Sequence, residues 1–244
     1  MNLYGLIGYP LGHSFSEQYF TQKFLREGLM DCRYKNFPIG SICELPALLK
    51  ANHLKGLNVT IPYKEQVLQY VTSLSNEVKI IGAANTIKIS GDDLVAHNTD
   101  VIGFEKSFVE LIKPHHKKAL VLGTGGSSKA IQFVLAKLNL EFLLVSRSSS
   151  IKNNLITYNQ LNEEIMKQHE VIINCTPSGM EPDNNSCPDI LYDFITPDHY
   201  VYDLIYKPAK TLFLKKAEGQ GATIKNGYDM LIIQAEESWK LWRR

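Results

Sequence analysis

Apolar residues in this chain fall into short runs closed by turn formers, and the spacing within the runs switches between two residues and three to four. Leu3 to Ile7 is a compact run ended by Gly8, Pro10 and Gly12, and it predicts a first strand. Tyr19, Phe20, Phe24 and Leu25 then share one helical face, so a helix is expected from Ser16, which can cap it, to about Leu29. Arg33 to Phe37 predicts the next strand. Ser41 with Glu44 three residues on is a capping-box pattern at a second helix start. Gly56 leads into a strand from Leu57 to Thr60, and Pro62 stops it because proline has no ladder donor. Val78, Ile80 and Ile81 mark another helical stretch. The runs Ala84 to Ile89 and Leu94 to His97 flank Ser90-Gly-Asp-Asp93, a hairpin pattern. Residues 1 to about 99 thus read as alternating strand and helix with one antiparallel addition.

A helix from about Ile102 to Ile112 leads into a second unit. Ala119 to Leu122 is an unbroken apolar strand, followed by Gly123-Thr-Gly-Gly-Ser-Ser-Lys-Ala130 and a helix to about Lys137. Glu141 to Val145, Val171 to Asn174, Val201 to Leu204 and Ala222 to Ile224 continue a mainly parallel α/β pattern. Ser178 to Pro188 is a loop, and a last helix is expected from about Asp229 to Trp242. The fold class is α/β.

Composition narrows the function. The 244 residues are 44% apolar and 21% charged, with a net charge of +1, so a sizeable core is available and binding to nucleic acid has no support. The basic group His115-His116-Lys117-Lys118 reads as a solvated approach to the strand behind it. The four cysteines, at 32, 43, 175 and 187, form no C-x-x-C pair and no metal spacing with histidine, so no metal is expected and the thiols suit a reduced, cytoplasmic protein. The N-terminal run reads as a strand and not as a signal peptide, and no stretch approaches the roughly 20 apolar residues of a membrane span.

The glycine run opens a helix directly after a strand, where backbone N–H groups and the positive helix end can receive a pyrophosphate. Gly123 permits the tight turn and Gly125 the close approach of phosphate; Ser128 occupies the third position of the usual glycine fingerprint, which weakens the signal. A structural strand-turn-helix without nucleotide stays open on this run alone. The following strand ends Val145-Ser146-Arg147-Ser148, with Lys152 further on and no carboxylate from Ser146 through Lys152. An NAD enzyme usually has an acidic residue there for the ribose hydroxyls, whereas Arg147 can fork onto a 2′-phosphate or lie over adenine; NADP is therefore favoured. Asn174-Cys-Thr-Pro-Ser-Gly-Met180 follows another strand end, which suits a loop beside the nicotinamide ribose, with Met180 either on the ring or a plain apolar plug.

Several motifs in order resemble those of the shikimate dehydrogenase family. They are Gly8-Tyr-Pro-Leu-Gly-His-Ser-Phe-Ser16, Asn58-Val-Thr-Ile-Pro-Tyr-Lys64, Ile81-Gly-Ala-Ala-Asn-Thr-Ile87, Asn98-Thr-Asp-Val-Ile-Gly103, Gly123-Thr-Gly-Gly126, Asp203-Leu-Ile-Tyr-Lys-Pro208 and Asn226-Gly-Tyr-Asp-Met-Leu-Ile-Ile-Gln-Ala235. The resemblance spans essentially the whole chain. It implies NADPH-dependent reduction of 3-dehydroshikimate to shikimate in aromatic amino acid biosynthesis. It also implies an N-terminal substrate domain over 1–100 completed by a C-terminal helix over 227–244, a Rossmann-like NADP domain over 101–226, and a cleft between them. By matching position, Ser14 and Ser16 would bind the substrate carboxylate with Thr60 and Tyr206 close by. Asn58, Asn85, Asp100 and Gln234 would hold ring hydroxyls, and Lys64 and Asp100 would be the catalytic pair. Gly123, Gly125, Gly126, Ser127, Ser146, Arg147, Thr176, Met180 and Gly227 would meet the cofactor. Two departures stand out: Thr124, Ser127 and Ser128 replace alanines frequent in the family, and Ser146-Arg-Ser148 replaces its Asn-Arg-Thr.

Hydride arriving at a ring ketone builds negative charge on the carbonyl oxygen. A cation aimed there stabilises that charge and can deliver the proton, which is the role implied for Lys64; in reverse, a neutral lysine takes the alcohol proton. On residue type alone, Lys64 reads equally as a solvated lysine, the two serines as helix caps, and Asp100 as the cap of the linking helix. Three other readings remain: a quinate/shikimate dehydrogenase that also uses NAD, a nucleotide-binding regulatory protein without chemistry, and a methylenetetrahydrofolate-type dehydrogenase. The partner is a small molecule, with no membrane or nucleic acid expected and a monomer or homodimer both open.

Overall fold

The computed structural model describes residues 1–11, 15–148 and 154–243. Its contacts divide the chain into two compact units, Met1–Thr99 with Ala235–Arg244, and Asp100–Gln234. In the first unit, strand β1 (Asn2–Gly8) is followed by helix α1 (Phe15–Arg26), β2 (Cys32–Pro38), α2 (Leu45–Ala51), β3 (Leu54–Val59), β4 (Ser73–Leu74), α3 (Asn76–Ile81), β5 (Thr86–Ser90) and β6 (Asp93–His97). They form a six-stranded sheet in the order β2-β1-β3-β5-β6-β4. β1 lies parallel to β2 and β3, while β5 is antiparallel to β3 and β6, which is the antiparallel addition expected from the hairpin pattern. Ser90 pairs with Asp93 across a tight loop, and Gly91 supplies its left-handed φ of 60°.

The second unit holds α4 (Asp100–Phe108), β7 (Lys118–Leu122), α5 (Gly126–Lys137), β8 (Glu141–Ser146), β9 (Leu155–Thr157), α6 (Glu163–Gln168), β10 (Val171–Asn174), β11 (Tyr200–Asp203), α7 (Leu212–Gly219) and β12 (Thr223–Lys225). The sheet order is β12-β11-β10-β7-β8-β9, and its pairings are all parallel. β7 and β10 read as unbroken apolar runs because both sheet faces are covered; Leu120, Leu122, Ile172 and Val201 are fully buried in one cluster. The chain lays β8 and β9 on one side of β7 and then returns to its other side for β10, so the strand order reverses between β7 and β10. Helix α8 (Tyr228–Arg243) is shared, its residues up to Gln234 grouping with the second unit and those from Ala235 with the first. No helix among the described residues is long and apolar enough to cross a membrane.

Several local expectations need correction. Helix α1 starts at Phe15, so Ser16 lies inside its first turn and is not its cap. The helix ends at Arg26, short of Leu29, because Gly28 turns left-handed at φ 69° and Leu29 N donates back to Phe24 O at 2.8 Å. Gly56 lies within β3 and does not merely lead into it. A Cβ there would come 2.2 Å from Trp242 Nε1, whose indole lies over the strand and donates to Ile87 O at 3.0 Å. α4 runs from Asp100 only to Phe108, four residues short of Ile112, and Leu111 N then folds back to Phe108 O at 3.4 Å in a three-residue closure that does not continue the α-helix. His116 is buried, not solvated. Its Nδ1 accepts from Lys113 N at 2.9 Å, Nε2 meets Asp198 O at 3.0 Å, and burial holds its pKa below the usual imidazole value.

Candidate functional site

Asn58 sits near the end of β3 with its side chain almost wholly buried. Its amide has one possible orientation. The carbonyl of Asn85, which can only accept, lies 3.3 Å from one terminal atom, so that atom is Nδ2. The other terminal atom, Oδ1, therefore accepts from the Tyr34 phenol at 2.8 Å. Nδ2 also faces Thr86 Oγ1 at 3.1 Å and Ser238 Oγ at 3.0 Å. Tyr34 is itself buried, which pushes its phenol well above the ordinary range, and a hydrogen bond with Ser16 pulls the other way. One run of contacts therefore joins Ser16 in the first turn of α1 to Asn58 through Tyr34. Asn85, immediately before β5, is equally fixed: its Oδ1 accepts from Thr99 N at 2.7 Å and its Nδ2 donates to Thr99 Oγ1 at 3.0 Å.

Thr60 follows β3 in a tight turn in which Tyr63 N donates to Thr60 O at 2.9 Å. Gly8 makes room for it, since a Cβ on Gly8 would fall 2.4 Å from the Thr60 methyl. Lys64 comes next and is half-buried, two residues ahead of the 3-10 turn Gln66–Tyr70. Its main chain is clamped on both sides. Lys64 O accepts from Ala84 N at 2.8 Å, and buried Tyr63 donates its phenol to Ile39 O at 2.6 Å. In the second unit, Asp100 opens α4 and is buried. Gln234 is buried on α8 with Nε2 donating to Leu231 O at 2.9 Å. Tyr206 is half-buried three residues past β11, and burial raises its phenol pKa. Ser14 and Lys152 lie outside the described residues.

The predicted nucleotide residues other than Gly227, which follows the edge strand β12, gather at or beyond the carboxyl ends of β7, β8 and β10, around the strand-order reversal where α/β sheets hold ligands. Gly123 has φ 102°, and a Cβ there would meet the Thr176 methyl at 3.0 Å, so the two strand ends touch. Gly125 caps α5 without a side-chain hydrogen bond, and a Cβ added to it would meet nothing within 4 Å. Gly126 and Ser127 form the first turn of that helix. This glycine cap, open on its outer side at the start of a 12-residue helix, fits a pyrophosphate. Ser146 ends β8 and its Oγ accepts from Ser148 N at 3.3 Å. Arg147 is exposed beside Tyr158: burial pushes the Tyr158 phenol up to about 12, and the Arg147 cation works against that rise. Thr176 is tied to Asn174 Oδ1 through both its N–H, at 3.0 Å, and its hydroxyl, at 2.7 Å. Met180 is 45% exposed in the loop that follows. Gly227 has a packing reason of its own, because a Cβ would lie 2.1 Å from Leu204 O.

Sequence reasoning missed the groups that hold these side chains. Tyr34, Thr86, Thr99 and Ser238 all bond to Asn58 or Asn85, or to one another, in the buried interior of the first unit. A usable signal existed for Ser238: it lies four residues after Gln234, one helical turn along the same face. It missed Asp203 as well. That carboxylate, buried at the end of β11, accepts from Asn174 Nδ2 at 3.0 Å, Ile205 N at 3.0 Å and Thr211 Oγ1 at 2.6 Å. It thereby shapes the turn that carries Tyr206. Among the described residues no group of three or more His, Cys, Asp or Glu is placed to hold a metal ion.

Residues 6–87 match the family model described as shikimate dehydrogenase substrate binding domain. The chain is 37% identical to the shikimate dehydrogenase (NADP(+)) of Methanococcus vannielii, with 98% of this chain and 90% of that one covered. It is similar to the crystal structure of shikimate 5-dehydrogenase from Thermus thermophilus in complex with NADP(H) and shikimate. There the TM-score is 0.87 at 28% identity, over 99% of this chain and 93% of that one. A quinate dehydrogenase from Corynebacterium glutamicum in complex with NAD superposes with a TM-score of 0.86 at 26% identity, over 99% and 93% of the two chains.

Proposed function

The chain belongs to the shikimate dehydrogenase family, and from that premise we infer that it reduces 3-dehydroshikimate reversibly to shikimate with NADPH. The observation that carries the reading is similarity over 98% of the chain, at 37% identity, to a shikimate dehydrogenase (NADP(+)), joined to strand-end residues with the matching chemistry. Bound NADPH supplies the hydride. The glycine cap of α5, at Gly123, Gly125, Gly126 and Ser127, receives the pyrophosphate. Arg147 forks onto the 2′-phosphate, with Ser146 beside it. Thr176 and Met180 serve the nicotinamide end, and Gly227 completes the proposed set.

Lys64 acts as the proton donor to the carbonyl oxygen and stabilises the charge that develops there. The bond from Ala84 N to Lys64 O fixes where the side chain leaves the backbone, and the four-carbon stem is what binding must order. Asp100 is the second member of the catalytic pair and orients the ammonium and a substrate hydroxyl. Ser14 and Ser16 hold the substrate carboxylate, with Thr60 and Tyr206 as further donors. Asn58, Asn85 and Gln234 hold ring hydroxyls. With both Nδ2 hydrogens of Asn58 directed to Thr86, Ser238 and Asn85 O, its contribution to substrate is the remaining lone pair of Oδ1.

The test is an absorbance assay of nicotinamide reduction with shikimate and with quinate, each with NADP+ and with NAD+. Shikimate with NADP+ is the expected best pair. Faster turnover of quinate with NAD+ would move the chain to the quinate branch, and cofactor binding without turnover of either acid would leave a nucleotide-binding protein.

A further inference from the structure

We propose that Ser238 is a positioning residue for the substrate: its hydroxyl closes a buried ring of hydrogen bonds that sets the amides of Asn58 and Asn85. This rests on the assignment of those two asparagines to the ring hydroxyls. The ring runs from Asn85 Nδ2 to Thr99 Oγ1 at 3.0 Å, from Thr99 to Ser238 Oγ at 3.1 Å, from Ser238 to Thr86 Oγ1 at 2.8 Å, and from Thr86 to Asn85 Oδ1 at 3.1 Å. One direction of donation satisfies every member. Asn85 donates to Thr99, Thr99 to Ser238, Ser238 to Thr86, and Thr86 back to the Asn85 carbonyl. Ser238 keeps a second lone pair, and Asn58 Nδ2 donates into it at 3.0 Å.

Thr86, Thr99 and Ser238 are each no more than 1% exposed, so water cannot replace a missing partner. Removing the Ser238 hydroxyl opens the ring. The Thr99 proton must turn to Asn85 Oδ1 at 3.2 Å or Thr86 Oγ1 at 3.3 Å, Thr86 loses the shorter of its donors, and Asn58 Nδ2 retains only Thr86 at 3.1 Å and Asn85 O at 3.3 Å. Both asparagine amides then lose part of what sets their angle, although Ser238 itself touches neither substrate nor cofactor in this scheme. A residue of this kind acts on substrate affinity and on the reading of ring hydroxyls, and it leaves the nucleotide site alone.

The experiment uses full-length Ser238→Ala and Thr86→Val, the second being isosteric and breaking the same ring. Steady-state constants are measured for shikimate, for an analogue lacking one ring hydroxyl, and for NADP+. Both variants should raise KM for shikimate about fivefold to tenfold, the loss expected of one or two buried hydrogen bonds. The KM for NADP+ should stay unchanged, and the preference for shikimate over the deoxy analogue should shrink. A purely structural role would lower the thermal midpoint and leave that preference intact, which overturns the proposal. Asn58→Ala separates the two levels of inference. If it loses shikimate affinity while both ring variants match the parent, the positioning role of Ser238 falls and the assignment of Asn58 stands. If Asn58→Ala binds shikimate as the parent does, both fall together.

Discussion

Asp203 makes a testable demand on the pH dependence of stability. Burial is the larger influence on its carboxyl and lifts it from 3.8 to about 6, against hydrogen bonds from Thr211, Ile205 N and Asn174 that favour the charged form. Below pH 3.8 the group is protonated in both folded and unfolded chains and contributes nothing to the balance. Between 3.8 and about 6 the unfolded chain releases its proton while the folded chain still holds one, so folding stability falls as pH rises. A displacement of that size corresponds to about 3 kcal/mol, a sizeable part of the stability of an ordinary domain. The perturbation is Asp203→Asn, which keeps the shape and removes the titration. The amide oxygen can still accept from Asn174 and Ile205 N, and the amide nitrogen faces Thr211, whose hydroxyl can turn to accept. Urea unfolding of parent and variant at stepped pH, with the two stabilities subtracted, cancels the carboxylates they share. The parent should lose about 3 kcal/mol relative to the variant as pH climbs through the window, and the difference should level off above it. A difference that stays flat across the window, or that grows in favour of the parent, would refute the reasoning.

Other consequences can be checked alongside it. Lys64→Ala should cut turnover by roughly 10²- to 10⁴-fold, the usual worth of a positioned proton donor, while the urea midpoint holds; unchanged turnover removes Lys64 from the chemistry. Arg147→Ala should raise KM for NADPH on the order of tenfold and leave KM for NADH nearly alone, and equal effects on both defeat the 2′-phosphate assignment. Ser14→Ala and Ser16→Ala should each weaken shikimate far more than NADP+, and the reverse order would move the serines out of the carboxylate site. Gly56→Ala should cost on the order of 1–3 kcal/mol by forcing a methyl into the Trp242 indole, so an unchanged thermal midpoint would show that the indole can shift away freely.

The parts of this molecule that could be read from its sequence are those whose cause is local. The glycine run after β7 is legible because a left-handed Gly123 and a side-chain-free cap at Gly125 are demands of the turn itself. The capping box at Ser41 and Glu44 forms as expected for the same reason, with Ser41 N donating to Glu44 Oε1 at 2.8 Å. What stayed hidden depends on distant chain. Gly56 looked like a strand entry, and only the Trp242 indole explains why it must lack a side chain. His116 looked solvated, and only the Asp198 carbonyl and the Tyr200 ring, 6.0 Å away, account for its burial. The short strands β4 and β9 carry too few residues for any period to register. Candidate site residues were legible as motifs, but the contacts that aim them were not. Asn58 and Ser238 are 180 residues apart, and nothing in either neighbourhood announces the other.

That division has a physical basis in where each kind of polar group sits. In the second unit the candidate nucleotide groups lie at or just past strand ends, where Gly123, Ser146 and Thr176 leave the sheet and their support comes from near neighbours, as Thr176 takes its from Asn174 two residues back. Asn58 is different, because it lies inside β3 with the sheet on both sides, and an unpaired amide there would cost on the order of 1–3 kcal/mol or more. The fold can keep such a residue only by surrounding it with matched partners, and Tyr34, Thr86 and Ser238 are those partners. The same matching that makes the amide tolerable also removes its freedom to turn, since exchanging its oxygen and nitrogen would set Oδ1 against the Asn85 carbonyl, which can only accept. A group placed for substrate recognition within a strand thus carries a rigid support as a condition of folding, and a loop residue of equal chemistry does not.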